Sequence, residues 1–254
     1  MQNNGRSCER SLRPRDAKNL NLPRKLVMQA QHSHNLPTPS VQRLPSYLRL
    51  IKSVRECGET AISCTRIAEE FGQTSVQVRK DLAITGITGR PKIGYQIADL
   101  VEAIEEFLGW NVTTHAFLVG VGNLGSAILN YEGFASHGLN VVDVFDANPK
   151  LLGTVVNGRV IRPVADIPER AKTLREKTGK TLDMGVITAP AHAAQSVADL
   201  LVKAGARAIW NYAPIQLELP DDVVCENVKL SESFAVLTNR MRMRRHRVSD
   251  RAQS

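Results

Sequence analysis

Residues 117–134 read FLVGVGNLGSAILNYEGF: an apolar run, then Gly120, Gly122 and Gly125 at the spacing G-x-G-x-x-G, then apolar residues at helical steps. No other stretch constrains the fold as tightly, because a buried strand, a tight turn and a helix must follow one another within a few residues. Gly120 permits the turn, Gly122 lets the backbone approach a ligand, and Gly125 lets the helix pack on the strand. A second apolar run, LNVVDVFD, ends in Asp146, 21 residues beyond Gly125. The amides at the positive end of the helix suit a pyrophosphate, and Asp146 suits the hydroxyls of a ribose while repelling a 2′-phosphate. The pattern points to a dinucleotide site that favours NAD(H) over NADP(H). Another adenine nucleotide such as coenzyme A, or glycines serving only a tight turn, are the alternatives.

From Ala116 onward strands and helices alternate. TLDMGVITAP and ARAIWNYAP read as strands, with HAAQSVADLLVKAG as a helix between them. Apolar strands without polar alternation, separated by helices, predict a parallel sheet covered on both faces, a doubly wound α/β domain. A hydride-transferring enzyme on this fold needs an acid or base beside the substrate. His115 and His137 are expected at the surface. His192, opening a helix at the carboxyl edge of a strand, is the one histidine placed to act, and no Arg or Asp stands near it in sequence. A catalytic residue is therefore not assigned. An NAD-dependent oxidoreductase and a coenzyme A binding module stay open as alternatives.

Ahead of this domain the pattern is helical. Leu44, Tyr47, Leu48, Ile51 and Val54 recur at three- and four-residue steps, with Pro45 expected in the first turn of their helix. In AISCTRIAEEFGQTSVQVRKDLAITG two short helices are punctuated by Ser63, by Gly72, and by Thr74 or Ser75 as caps. Ile67, Ala68 and Phe71 face inward on the first helix, Val78 and Leu82 on the second. Ser75, Gln77, Arg79 and Lys80 then lie early and near the exposed side of the second helix, where a helix-turn-helix places its DNA-reading side chains. GITGRPKIGYQI follows as a β-hairpin wing with Arg90 and Lys92 at its tip and Ile93, Tyr95 and Ile97 alternating after it. ADLVEAIEEFLGW reads as a connecting amphipathic helix.

Charge separates the two parts. The net charge of +8 divides into +5 over residues 1–36, +4 over 37–95, −6 over 96–239 and +5 over 240–254. A basic first part joined to an acidic second part suggests that the first meets a polyanion. Residues 1–36 and 246–254 are expected to be disordered basic tails. No run of 18 apolar residues and no secretory h-region occur, so a soluble cytoplasmic chain is expected, without membrane contact. Cys8, Cys57, Cys64 and Cys225 form no C-x-x-C pair, so neither a disulfide framework nor a metal site is expected.

RLPSYLRLI, VQVRKDL, KIGY, GVGNLGSAILNYEGF, FDANPKLLG, TAPAHAAQSVADLLVKAGARAIWNYAP and LELPDDVVCENV, in that order, resemble the Rex family of redox-sensing transcriptional repressors, from about Leu36 to Met241. The resemblance implies a winged helix-turn-helix domain over 37–110, a Rossmann-like NAD(H)-binding domain over 111–229, and a C-terminal helix over 230–245 that swaps onto the partner of a homodimer. Leu230, Phe234, Leu237 and Met241 supply its apolar stripe. The implied nucleotide set is Gly120, Val121, Gly122, Asn123, Leu124, Gly125, Tyr131, Asp146, Asn148, Thr188, Ala189 and Pro190. The implied contacts to a palindromic double-stranded operator are Thr74, Ser75, Gln77, Arg79, Lys80, Arg90 and Lys92. NADH would release the operator and NAD⁺ would not. Two departures stand out. The aromatics usual after the DL pair are missing and Pro91 interrupts the basic pair of the wing. In a switch relay with Arg49 and Tyr131, Lys229 stands where the family tends to have Asp.

Overall fold

The structure, a computed structural model, describes residues 38–252; the expected tail over residues 1–36 lies outside them. The chain divides into two units that part between Leu108 and Gly109.

In the first unit, helix α1 (Thr38–Glu56) buries Leu44, Tyr47, Leu48, Ile51 and Val54. It starts at Thr38 and so carries Pro45 in its interior, not in its first turn. Pro39 occupies the early position where a missing amide costs nothing, and the apolar stripe carries the helix through Pro45. Strand β1 (Ala61–Ile62) leads into α2 (Cys64–Phe71). The Ser63 side chain accepts from the Arg66 amide at its start, and Gly72 closes it in the left-handed region at φ 59°. Helix α3 (Ser75–Ala83) begins at Thr74, whose hydroxyl accepts from the Gln77 amide at 3.2 Å. Strand β2 (Tyr95–Gln96) pairs antiparallel with β1, and α4 (Ile97–Leu108) completes the unit. The wing is shorter than the alternation of Ile93, Tyr95 and Ile97 predicts. Arg90 and Gly94 exchange backbone bonds around a turn whose tip, Lys92, has φ 64°, and Ile97 already belongs to α4, where its side chain enters the core.

The second unit is a seven-stranded sheet in the order β5–β6–β4–β3–β7–β8–β9. Its strands are β3 (Thr114–Val119), β4 (Leu139–Asp146), β5 (Val155–Val156), β6 (Arg159–Pro163), β7 (Met184–Ile187), β8 (Ala208–Asn211) and β9 (Val224–Asn227). All neighbours are parallel except β5 and β6, a hairpin turned by Asn157 and Gly158. Helices α5 (Asn123–Asn130) and α6 (Glu132–Ser136) cross from β3 to β4 on one face, over Ala116, Leu118, Val144 and Val186. Helices α7 (Ile167–Thr178) and α8 (Ala191–Lys203) cover the other face, over Phe117, Phe145, Ile187 and Ile209. The link from β8 to β9, residues 212–223, contains no helix.

Two expectations need correction here. His115 is buried, not at the surface: it lies on β3, its amide donates to Asp183 at 2.8 Å and its Nδ1 stands 3.3 Å from the same carboxylate. The strand begins at Thr114, two residues before the apolar run that opens at Ala116, so His115 is carried into the sheet. Helix α9 (Leu230–Ala252) also runs seven residues beyond the expected boundary at 245, because no glycine or proline interrupts it. None of the described helices is long and apolar enough to cross a membrane.

Candidate nucleotide and nucleic-acid sites

In the second unit β3 has β4 on one side and β7 on the other, and the crossovers from β3 and β6 leave on opposite faces of the sheet. A crevice therefore opens at the carboxyl ends of β3 and β7. Gly120, at φ 101°, forms its floor. A Cβ there would stand 2.7 Å from the Thr188 carbonyl carbon and 2.8 Å from the Ala189 nitrogen. The Thr188 hydroxyl donates to the Gly120 carbonyl, with the Val119 carbonyl 3.2 Å away, so the turn after β7 holds the turn after β3. A Cβ on Gly125 would collide with the Gly120 carbonyl oxygen, which is why α5 can lie so close to the loop. Gly122 is different: a Cβ there would meet no protein atom within 4 Å. Protein packing thus accounts for Gly120 and Gly125 but not for Gly122. Helix α5 starts at Gly122 without a side-chain cap, and Asn123 and Leu124 are exposed beside it. Amides of an uncapped first turn suit an anion.

Asp146 ends β4 and ties it to the glycine loop. Its Oδ2 accepts from the Val121 amide at 2.6 Å and its Oδ1 from the Asn148 amide at 2.7 Å. Both oxygens are engaged, which the sequence does not reveal; each keeps a further lone pair for a ribose hydroxyl. Pro190 is exposed and precedes α8; Ala189 is half-buried against Gly120. His192, in the first turn of α8, is exposed.

Tyr131 follows α5 and is 59% exposed. Its ring meets Phe134 at 4.8 Å, Phe134 meets Trp210 at 5.0 Å, and Trp210 meets Tyr212 at 5.1 Å. Burial pushes the Tyr212 hydroxyl up to about 12. Lys229 is exposed and bonded to Glu232 at 2.8 Å, which raises its pKa. Arg49 is an exposed residue of α1 in the first unit, so the three residues of the expected relay are divided between the units.

In the first unit a cleft of about 540 Å³ lies between the start of α2, the helix α3 and the wing. Arg79, Arg90 and Lys92 line it together with Ser63, Thr65 and Tyr95. Arg79, Lys80, Arg90 and Lys92 are exposed, Thr74 is exposed as the cap, and Ser75 is half-buried. Gln77 departs from expectation. Its amide is turned inward and donates to Asp81 at 2.8 Å.

Asp81 is the residue that sequence reading missed. Fully buried on the inner face of α3, it accepts two bonds from Arg43 at 2.7 and 2.6 Å and one from the Tyr47 hydroxyl at 2.8 Å. Burial alone raises its pKa, but bonds from Arg43, Ser40, Gln77 and Tyr47 outweigh that and hold it at about 2. Burial, reinforced by the bond to Asp81, moves Tyr47 up to about 12. The DL pair in VQVRKDL contains the aspartate, but nothing in its spacing distinguishes it from a solvated acid. Among the described residues no group of His, Cys, Asp and Glu is arranged to hold a metal.

Comparison with known proteins gives consistent matches for both units. Residues 35–83 match the family model described as putative DNA-binding protein N-terminus, and residues 111–215 match the CoA binding domain. The redox-sensing transcriptional repressor Rex of Treponema denticola is 40% identical over 199 residues, covering 78% of this chain and 92% of that protein. The Bacteroides fragilis protein of the same name is 37% identical over 215 residues, covering 84% of this chain and 95% of that one. Among solved structures, RSP in complex with β-NAD⁺ and operator DNA is similar at a TM-score of 0.74 and 32% identity. It covers 87% of this chain, and 99% of its own length is matched. RSP in complex with β-NADH is similar at a TM-score of 0.72 and the same identity, with 84% of this chain and 98% of that one covered.

Proposed function

The chain belongs to the Rex family of redox-sensing transcriptional repressors, and from that premise we propose that it is a dimeric, cytoplasmic repressor that binds operator DNA through its first unit and is released by NADH bound to its second. The open space beside Gly122 carries this reading, because it is the one glycine of the loop that the protein's own packing leaves unexplained. The pyrophosphate lies on the amides of Gly122, Asn123 and Leu124, with Val121 and Gly125 completing the loop. Asp146 and Asn148 take the adenosine ribose, and Thr188, Ala189 and Pro190 line the far wall. RSP holds β-NAD⁺ with operator DNA in one crystal and β-NADH in another, which supports both redox forms as ligands of this site.

Thr74, Ser75, Arg79 and Lys80 on α3 and Arg90 and Lys92 on the wing meet the duplex, with Gln77 reaching it only by leaving Asp81. The dimer forms through α9, whose Phe234, Val236, Leu237 and Met241 are all exposed within this chain. No helix links β8 to β9; Ala213, Leu217 and Val223 of the link pack with α7 and α8, while Trp210 and Tyr212 are half-buried on the opposite face, which supports a seat for the partner's helix there. NAD⁺ and NADH differ at one ring, cationic when oxidised and neutral when reduced. Tyr131, Arg49 and Lys229 convert that difference into a change in how the two heads meet DNA. In this reading the nucleotide is a signal and the protein is not an enzyme.

The test is fluorescence anisotropy of a labelled palindromic duplex from upstream of the protein's own gene, at fixed salt. NADH releases the duplex and NAD⁺ does not. Failure of both to release it removes the sensor reading, and displacement of NADH by coenzyme A favours the coenzyme A alternative. Turnover of NADH with a 2-oxo acid or aldehyde favours the oxidoreductase.

A further inference from the structure

The distal half of α9 has no role in the scheme above. Residues 240–252 contain six arginines, no lysine and one acid, Asp250. Arg240, Arg242 and Arg244 are exposed and enter no ion pair among the described residues, whereas Lys229 at the start of the same helix is paired with Glu232. Two ordinary accounts of a basic helix end do not cover them. The helix dipole attracts cations only to the last turn, and Arg244 precedes Ala252 by eight residues. No acid stands three or four residues from Arg240, Arg242 or Arg244, and Arg240 and Arg244 form a like-charged i,i+4 pair, which disfavours the helix. Such an arrangement calls for an external anion.

We propose that the distal half of α9 is a second contact surface for duplex DNA, gripping backbone phosphates outside the sequence that the winged head reads. Guanidinium groups bind phosphate through two parallel bonds, and a duplex supplies closely spaced phosphates to a rod of arginines. The second unit of a partner copy is the competing occupant. Its residues 109–239 carry 13 acids and 11 bases, so they offer carboxylates interspersed with cations, not a matching row. The proposal rests on the reading of the chain as a DNA-binding repressor and adds a site to it. Phosphate contacts carry no sequence information, so this surface acts equally on operator and non-operator duplex.

The experiment compares the full-length protein with a variant carrying Arg240→Gln, Arg242→Gln and Arg244→Gln, and with the matching triple Lys variant. Binding to the operator duplex with long and with short flanks, and to a mixed-sequence duplex, is followed across a salt series. With long flanks the Gln variant loses about 0.9 of the log–log salt slope per phosphate contact removed, so about 2 to 3 per engaged helix. The loss is the same on both sequences, is absent with short flanks, and is reversed by Lys. An unchanged slope overturns the proposal. Loss of the dimer in sedimentation at the same salt also overturns it, and assigns the arginines to carboxylates of the partner. Absence of duplex binding by the unaltered protein is a separate result, which removes the repressor reading itself.

Discussion

At the scale of single residues, the glycine loop separates packing from binding. Gly125→Ala puts a methyl group against the Gly120 carbonyl, so α5 must move away from the turn. The expected outcome is a loss of NADH affinity of roughly tenfold or more, on the order of 1.4 kcal/mol, together with a lower Tm, measured by calorimetric titration and thermal unfolding. Gly122→Ala is expected to leave Tm unchanged and to weaken NADH alone, since its Cβ meets only open space. Asp81 predicts a pH dependence. Its folded pKa of about 2 lies below the ordinary 3.8, so its contribution is fully present above about pH 3.8 and is lost as the pH falls through 2. The shift corresponds to roughly 2 kcal/mol. Asp81→Asn removes it and leaves Arg43 without its carboxylate. The stability gap between the unaltered protein and this variant, followed by thermal unfolding, is expected to close on acidification toward pH 2. Lys229→Asp places an anion where Lys229 now pairs with Glu232. If Lys229 borders the nicotinamide, NAD⁺ binding tightens and NADH binding does not, in the same titration.

At the scale of elements, α9 is the one long helix whose described side chains, from Ser231 to Arg244, are all exposed. At about 1.5 Å per residue it is about 34 Å long, and an isolated amphipathic rod of this kind is held by what it docks on. Phe234→Asp with Leu237→Asp is expected to convert the dimer to monomer in sedimentation and to weaken operator binding, because a palindrome is gripped by two heads. Helix α3 is fixed by the opposite means, a buried carboxylate shared with α1. The N-cap of α3 was legible in the sequence as Thr74 or Ser75, and the caps of α2 as Ser63 and Gly72, because capping is local. The Asp81 cluster was not, because Arg43 and Asp81 are 38 residues apart and meet only after α1 and α3 pack. The wing was legible as a turn but not in its length, since the switch from strand to helix at Ile97 depends on burial in the head's core.

At the scale of the whole molecule, a repressor that responds to a redox ratio needs two states of the dimer that bind the two nucleotides unequally. A near-complete switch requires roughly a 10⁴-fold difference in NADH affinity between those states. By linkage, saturating operator is expected to weaken NADH binding by the same factor that NADH weakens operator binding, which titration of NADH with and without duplex measures. The sequence by itself determined the two-part architecture, the glycine loop, the parallel sheet and the basic face of the head, because apolar periodicity, turn residues and net charge are properties of neighbouring residues. Tertiary structure alone decided that Asp146 is tied to the loop by the Val121 amide, that Thr188 holds the Gly120 carbonyl, that Arg43 meets Asp81 and that His115 is buried beside Asp183. Each of these joins residues that approach one another only when strands and helices from distant parts of the chain pack together, and no local pattern encodes such an approach.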